Sequence, residues 1–405
     1  MFKNTLVGDL AAWLVERSRE ECTLPDLFNG FCGQLAPAGG DLRVLLGLET
    51  LHPEVSGMML QWHAGEVEKV TRQRAGLLTS ESYLRSPTRV VDETERPFRW
   101  RIGEDTQGMP RLEECAADGV TDYLMLPLPF LDHTRTAVMA FTTRAQGGFT
   151  ATDVALLDAA ARLFSPWAER AVLRRIAIGL LEAYLGPEAG RRVYDGQIER
   201  GDLRTIRAAI WFCDLRGFTA LSDRLPRAKL IKVLNRWFEG MGTAIAEGGG
   251  EVLKFMGDGL LAVFPIDGDP TGVCDRALAA AELAMGETEI LAQKLVAVGE
   301  APLRCGLALH LGDVEFGNIG TPTRLDFTVI GPAVNMASRL EGLTKEIGRH
   351  VVASASFAAA TTAVLEPLGE HRLRGIADPV AVFGLPTPPA ARPALLAELA
   401  QPAAR

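Results

Sequence analysis

Residues 207–218 read RAAIWFCDLRGF, and residues 254–259 read KFMGDG. Asp214 stands where an apolar strand is expected to end, and Asp258 lies in a glycine-flanked turn between two further apolar runs. Carboxylates on rigid strand ends can share hard divalent cations, which suit phosphoryl and nucleotidyl transfer because they neutralise charge on the reacting phosphate. Either aspartate alone would be interpreted as a turn former with an exposed carboxylate. The pair predicts a metal site that handles a nucleotide.

Length and composition indicate two domains joined by a connector. With 405 residues the chain is too long for one ordinary core, and 47% hydrophobic with 23% charged residues is typical of a soluble globular protein. The net charge of −9 argues against a nucleic-acid partner, since no basic stripe is available to neutralise a phosphate backbone. The six cysteines show no CxxC spacing, so neither a zinc site nor a disulfide framework is indicated.

The sequence favours a cytoplasmic protein without a membrane partner. Asp9 and Glu16 interrupt or closely follow the N-terminal apolar stretch, which disfavours a secretory signal. The charge-free stretch 351–365 is rich in Ser, Thr and Ala, and it is shorter than the roughly 18 residues of a spanning helix.

The first part of the chain is predicted to be a mixed α/β domain. Apolar residues recur at helical spacing over residues 6–20 and 24–35. Short apolar runs predict strands at residues 44–49, 58–62, 124–128 and 137–143. The polar, proline-containing stretch 86–111 indicates a long surface loop with one or two short strands.

A glycine-rich turn then leads into a long helix. Residues 147–164 read GGFTATDVALLDAAARLF, in which Thr150 can cap the helix and Asp153 closes a capping box. A strand pair followed by this sequence and a long terminal helix resembles the end of a GAF-type sensor domain. The resemblance implies a pocket for a small-molecule effector, and a purely structural dimerisation role explains the domain equally well. Surface or core positions explain the histidines of this part as well as haem ligation does. These histidines are His52, His63 and His133.

The segment between the two parts is predicted to be helical. Its apolar period continues from residue 176 to Leu185, breaks at Gly186 and Pro187, and then resumes up to residue 198. A continuous helix that leads into such a break suits a dimer-forming signalling connector, in which two chains pack their apolar stripes together. A simple spacer packed on its own domain explains the pattern equally well.

Strands and helices alternate in the second part. A strand is expected at 208–213, a helix from Pro226 to about residue 245, a hairpin over 252–264, and helices over about 275–298 and after Pro332. Residues 303–311 and 314–317 are expected to pair as two strands across Gly312 and Asp313. These elements predict an antiparallel-rich sheet with helices on one side.

Three ordered motifs carry a family resemblance in this second part. They read FCDLRGFT at 212–219, KFMGDG at 254–259 and DFTVIGPAVNMASRLE at 326–341. Together they resemble the catalytic domain of class III adenylate and guanylate cyclases. The implied α/β (α+β) architecture is a GAF-like regulatory domain over 1–170, a helical linker over 171–204, a ferredoxin-like cyclase domain over 205–386 and a Pro/Ala-rich tail over 387–405.

The resemblance implies metal-assisted cyclisation of ATP. Asp214 and Asp258 would hold two Mg²⁺ or Mn²⁺ ions, with which the ribose 3′-hydroxyl attacks the α-phosphorus in line while pyrophosphate leaves. The turn after Asp214 would face the triphosphate with free backbone N–H groups, which bind anions well. That turn consists of Leu215, Arg216, Gly217, Phe218 and Thr219.

The third motif implies two residues that act on the sugar and the phosphate. Asn335 would position the ribose, and Arg339 would stabilise charge on the α-phosphate in the transition state. Their spacing of four places both on one helical face. Arg339 would otherwise be a helix-surface partner for Glu341 or Glu346.

Three further residues are expected to contact the nucleotide. Lys254 is donor-only and fits adenine N1, while the Thr328 hydroxyl can accept from N6. The commonest family pattern has Asp at the position of Thr328, and Thr there resembles the class IIIb subgroup. Arg374 matches a stretch that contacts the terminal phosphates in the family, although it is also consistent with a plain edge-strand charge.

The resemblance also implies a head-to-tail homodimer, because the family assembles each active site from two subunits and this chain carries every element. The predicted enzyme is an adenylate cyclase regulated by its N-terminal domain. Guanylate cyclase and a catalytically inactive nucleotide-binding or dimerisation module remain as alternatives. A diguanylate cyclase is disfavoured, because the chain has Met-Gly-Asp-Gly in place of the signature hairpin of that family.

Overall fold

The computed structural model describes residues 2–17, 22–36, 41–49, 55–73, 80–130 and 136–386. The chain divides into two compact units, Met1–Ala183 and Tyr184–Arg405. The predicted tail over 387–405 and the histidines His52 and His133 lie outside the described residues. Within those residues, no helix is both long enough and apolar enough to cross a membrane.

Unit 1 contains a six-stranded antiparallel sheet in the order β3-β2-β1-β6-β5-β4. Its strands are β1 (Arg43–Glu49), β2 (Val55–His63), β3 (Glu66–Gln73), β4 (Phe98–Arg101), β5 (Asp122–Pro129) and β6 (Thr136–Thr143). Its helices are α1 (Phe2–Arg17), α2 (Leu24–Leu35), α3 (Glu81–Leu84), α4 (Pro87–Thr94), α5 (Pro110–Ala117) and most of α6 (Ala151–Leu185).

Helices cover both faces of this sheet. Leu124 and Leu126 of β5 pack into one cluster with α1, α2 and α6, whereas Tyr123 and Met125 pack into another with α4 and α5. The two sets separate because successive strand residues point to opposite faces. The mixed α/β class predicted for this part is confirmed.

The stretch 86–111 is more ordered than its sequence suggested. It contains α4 and β4, and the start of α5, so the prediction of a long loop is wrong for residues 87–94. The Ser86 hydroxyl accepts a hydrogen bond from the N–H of Arg89, and Pro87 occupies the first helical position. Both are ordinary helix-start signals. The predicted capping box of α6 is confirmed, since the backbone N–H groups of Thr150 and Asp153 each donate to the other residue's side chain.

Unit 2 contains an eight-stranded sheet. Seven strands follow the order β13-β14-β12-β10-β7-β9-β8, and β11 pairs with β10. The strands are β7 (Leu203–Arg216), β8 (Glu251–Met256), β9 (Gly259–Pro265), β10 (Arg304–Thr321), β11 (Arg324–Ile330), β12 (Val351–Ser354), β13 (Glu366–His371) and β14 (Val380–Gly384). The helices are α7 (Pro187–Tyr194), α8 (Phe218–Arg224), α9 (Arg227–Glu247), α10 (Pro270–Ala297), α11 (Pro332–Glu346) and α12 (Ala355–Ala358).

Helices lie on both faces of this sheet as well, which corrects the expectation of a one-sided arrangement. Trp211 of β7 packs in a cluster with α9 and α10, whereas its neighbour Ile210 packs in a cluster with Ala333 and Ala337 of α11. Because adjacent residues of a strand face opposite ways, α11 lies across the sheet from α9 and α10.

β10 is one continuous strand, so the prediction of two strands paired across Gly312 and Asp313 is wrong. Both residues stay in the ladder with β7, where Gly312 is opposite Ala208. A Cβ atom at position 312 would stand 2.7 Å from the Cβ of Ala333 in α11. Gly312 therefore allows α11 to pack closely against β10, and it does not form a turn.

Candidate functional site

Asp214 lies near the end of β7, between two glycines on the neighbouring strands. It is opposite Gly259 in the β7–β9 ladder and opposite Gly306 in the β7–β10 ladder. A Cβ atom at position 259 would stand 2.8 Å from Asp214 Oδ1. The glycine thus leaves room for the carboxylate at this end of the sheet.

Asp258 occupies the turn of the β8–β9 hairpin, as the sequence predicted. Gly257 precedes it with φ of 69°, in the region that favours glycine. The Asp258 carbonyl accepts a hydrogen bond of 3.2 Å from the N–H of Leu215, which ties the turn to the residue after Asp214. Burial, followed by the charge of Asp258, raises the pKa of Asp214. Asp214 and Asp258 are therefore close enough for the charge of Asp258 to affect the pKa of Asp214.

Glu341 of α11 is a third carboxylate at this place, and the sequence interpretation missed it. A Cβ atom at position 306 would stand 2.6 Å from Glu341 Oε1, so Gly306 also makes room for this side chain. Burial and the charges of Asp214 and Asp258 raise the pKa of Glu341 to about 7, against an opposing contribution from Arg216. Across the described ranges, no three His, Cys, Asp or Glu side chains form a metal-ligand group. Glu341 is therefore a charged neighbour of the two aspartates.

The turn after Asp214 differs in part from the prediction. Leu215 and Arg216 still belong to β7, and the Leu215 N–H is occupied by Asp258, so it is not free to bind a phosphate. Gly217 adopts φ of 72° and immediately precedes α8, which begins with Phe218. Thr219 lies in the first turn of that helix and is exposed.

Asn335 and Arg339 lie on α11 and are both exposed. Their spacing of four places them on one face of the helix. No ion pair joins Arg339 to Glu341 or Glu346 in the part of the chain that the structure describes. The proposed surface pairing of Arg339 is therefore not seen, and its guanidinium is accessible.

Lys254 of β8 forms an ion pair with Asp326 of β11, a residue that the sequence interpretation did not single out. Thr328 is two residues further along β11, so it shares a face of the strand with Asp326. Phe327 and Val329 are buried on the other face of β11, whereas Asp326 and Thr328 are not buried. The Lys254–Asp326 ion pair and Thr328 therefore lie at the same face of β11.

Arg374 lies in the loop between β13 and β14 and is exposed. The preceding residue, Leu373, is buried in a cluster with Leu340 and Leu343 of α11. The alternative interpretation of Arg374 as an edge-strand charge is wrong, because it is outside both strands.

Unit 1 contains a cavity of about 260 Å³ against the β1–β6 face that packs on α5. Polar groups converge on it, including the guanidinium groups of Arg43 and Arg111 and the phenol of Tyr123. Among the described residues, the buried Nε of Arg43 has no hydrogen-bond partner. An unpaired buried donor of this kind is costly unless a ligand or water satisfies it. His63 lies at the same cavity, with Nε2 2.9 Å from Asp41 Oδ1.

Sequence comparisons show that unit 2 is similar to known catalytic domains. The profile of the adenylate and guanylate cyclase catalytic domain matches residues 204–385. An adenylate cyclase of Anabaena cylindrica is 35% identical over 159 residues, which is 39% of this chain and 32% of that protein. Adenylate cyclase 1 of Rhizobium meliloti is 28% identical over 166 residues, 40% of this chain and 25% of that protein. The chain thus spans a third or less of the length of these two relatives.

One solved structure is also similar to part of this chain. The adenylyl cyclase CyaB from P. aeruginosa is 25% identical, with a TM-score of 0.43, and the match covers 47% of this chain and 98% of that one.

Proposed function

We propose that the protein converts ATP to 3′,5′-cyclic AMP and pyrophosphate, because residues 204–385 match the profile of the adenylate and guanylate cyclase catalytic domain. The observation that carries the proposal is the convergence of Asp214 and Asp258 at one end of the sheet. Catalysis of this kind needs positioning and charge stabilisation, and it needs no covalent enzyme intermediate.

Asp214 and Asp258 are suited to hold two Mg²⁺ or Mn²⁺ ions. Carboxylate oxygens are the ligands that these hard cations prefer. Burial, followed by the charge of Asp258, raises the pKa of Asp214, and a bound cation would offset both effects. When bound, the ions would neutralise phosphate charge and lower the pKa of the ribose 3′-hydroxyl. Gly259 leaves room for the Asp214 carboxylate beside β9.

Asn335 and Arg339 are proposed to act on the sugar and the α-phosphate. An amide can both donate to and accept from ribose hydroxyls, which fixes the orientation of the attacking oxygen. The planar guanidinium of Arg339 offers several N–H donors to the charge that spreads over the phosphoryl oxygens in the transition state. Gly217, Phe218 and Thr219 are proposed to offer backbone N–H groups to the triphosphate, and Arg374 to contact its terminal phosphates.

The base is proposed to be adenine, read by Lys254 and Thr328. The ammonium of Lys254 donates to adenine N1, and the Thr328 hydroxyl accepts from N6. Guanine presents an N1 donor and an O6 acceptor instead, so guanylate cyclase activity is the alternative. The relatives named adenylate cyclases support the choice of ATP.

A head-to-tail homodimer is proposed as the active form. The two aspartates would come from one chain, and Lys254, Thr328, Asn335 and Arg339 from its partner. The chain carries both sets, so a symmetric pair would contain two equivalent sites.

Residues 1–170 are proposed to be a GAF-like regulatory domain, joined by a linker over 171–204 to a catalytic domain over 205–386. The cavity lined by Arg43, Arg111 and Tyr123 supports a small-molecule effector, because a ligand with acceptor atoms would satisfy the unpaired Arg43 Nε. With ATP as its substrate, the protein is proposed to be cytoplasmic.

Purified full-length protein incubated separately with Mn-ATP and Mn-GTP tests these assignments. Cyclic AMP as the main product supports the proposal, and cyclic GMP as the main product identifies a guanylate cyclase. Nucleotide binding without any cyclic product identifies an inactive binding module.

A further inference from the structure

We infer that Asp326 is a positioning residue for Lys254 and that this ion pair contributes to the selection of ATP over GTP. The inference rests on the proposed function, in which Lys254 contacts the base. It assigns a role to a carboxylate that neither the motif resemblance nor the metal-site argument uses.

The ion pair joins two strands that are not hydrogen-bonded to each other. β8 pairs with β9, and β11 pairs with β10. Lys254 Nζ and Asp326 Oδ2 therefore connect the two strands through their side chains, across 72 residues of sequence. Asp326 thus determines the direction in which the long Lys254 side chain extends from β8.

Asp326 and Thr328 present their side chains on the same face of β11. Asp326 is opposite Ile319 of β10, and Thr328 is opposite Gly317. Phe327, between them, is buried against Phe316 on the other face. The side chains of Lys254, Asp326 and Thr328 can therefore contact the same edge of a planar ligand.

Stability does not explain the pair. Its side chains are 44% and 54% exposed, and exposed ion pairs contribute little to folding because water screens them and the side chains lose entropy. The pair has a different consequence when a base covers it. Removal of water strengthens the attraction, so a freely rotating ammonium becomes a donor fixed in one place.

The ammonium has enough donors for both partners. Of its three N–H groups, one is used by Asp326, and two remain for adenine N1 and solvent. Without the carboxylate, Lys254 would have to lose the rotational freedom of four bonds when it meets the base, which weakens binding. A loose ammonium can also follow the O6 acceptor of guanine, so the preference for adenine is expected to fall.

The test compares Asp326→Asn, Asp326→Glu and the wild type by steady-state kinetics of the full-length protein with Mn-ATP and Mn-GTP. Glu370→Gln, which removes an exposed carboxylate from β13, is the matched control. For Asp326→Asn we expect the KM for ATP to rise about tenfold, equivalent to about 1.4 kcal/mol, with a much smaller change in kcat. The ATP-to-GTP ratio of kcat/KM is expected to fall by a similar factor, and Asp326→Glu is expected to restore part of both.

The outcomes separate the inference from the proposed function. If the wild type forms no cyclic nucleotide, the proposed function fails. If the wild type is active and Asp326→Asn has an unchanged KM and an unchanged ATP-to-GTP ratio, Asp326 does not position Lys254. An equal fall in kcat with both nucleotides, together with a lower thermal midpoint, would show a structural role and also overturn the inference.

Discussion

Gly259 is directly opposite Asp214, and a methyl group at position 259 would stand 2.8 Å from the Asp214 carboxylate and from the Cys213 carbonyl. Gly259→Ala is therefore expected to displace Asp214 and to lower cyclase activity by about 100-fold, the effect of a misplacement of about 1 Å at a reacting site. Activity assays with Mn-ATP measure this.

Gly286→Ala is the control for that variant. Gly286 lies inside α10 with nothing within 4 Å of the added methyl group. Because alanine is a better helix former, this variant is expected to keep full activity and a slightly higher thermal midpoint. Normal activity in Gly259→Ala would show that the close approach to Asp214 has no catalytic importance.

Glu341 adds an unfavourable charge beside the two aspartates when no metal is bound. Its raised pKa, about 7 in the folded protein, means that folding favours the protonated form. Glu341 therefore does not destabilise the fold at low pH, where it is protonated. The free energy of unfolding falls as the pH rises through about 7 and the carboxyl becomes charged. Glu341→Gln is expected to be more stable than the wild type in EDTA at pH 8, by about 1–2 kcal/mol after allowance for solvent screening, and equally stable at pH 4.

Denaturant unfolding at the two pH values measures this difference. The same variant is expected to need more Mn²⁺ for half-maximal activity, because a neutral amide attracts cations less than a carboxylate does. A variant that is less stable than the wild type at pH 8 would contradict the proposed repulsion.

His310 of β10 is predicted to destabilise the protein in mild acid. Burial lowers its pKa from 6.5 to about 4, and its Nδ1 lies 2.8 Å from the Ser354 hydroxyl. A depressed histidine pKa means that the unfolded chain binds the proton more readily, so stability is present above pH 6.5 and is lost as pH falls towards 4. The loss attributable to His310 is about 2 kcal/mol at pH 5.

Unfolding curves of the wild type and His310→Gln at pH 7 and pH 5 measure this loss. The wild type is expected to lose about 2 kcal/mol more than the variant over this interval. Equal losses would mean that His310 remains able to take up a proton in the folded protein.

The proposed homodimer predicts that two inactive variants complement each other. Asp214→Asn removes a residue of the proposed metal half-site, and Asn335→Ala removes a residue of the proposed ribose half-site. Mixed dimers of the two would contain one intact site, so an equal mixture is expected to recover about a quarter of the wild-type activity. A mixture of Asp214→Asn and Asp258→Asn is the control, because both lie in the same half-site and no intact site can form.

Sequence motifs predicted roles for the aspartates, the α11 pair and the proposed base-contacting residues because each lies in a short local pattern. The capping box of α6 and the hairpin around Asp258 were predicted for the same reason. Glu341 and Asp326 could not be assigned in this way, since their charged neighbours come from distant strands and only the folded sheet brings them together. Gly312 was wrongly predicted to form a turn. A glycine that lets a helix pack closely against a strand cannot be distinguished by local sequence from a glycine in a turn.

Formation of cyclic AMP from Mn-ATP by the wild type, Asp214→Asn and Asp258→Asn tests the central claim most directly. The account predicts product from the wild type and a loss of at least about 100-fold in each variant, because each keeps its shape but loses an anionic metal ligand. It also predicts that Asp214→Asn is at least as stable as the wild type, since burial already disfavours the charged form of Asp214. Near-normal cyclic AMP synthesis by either variant would contradict the account.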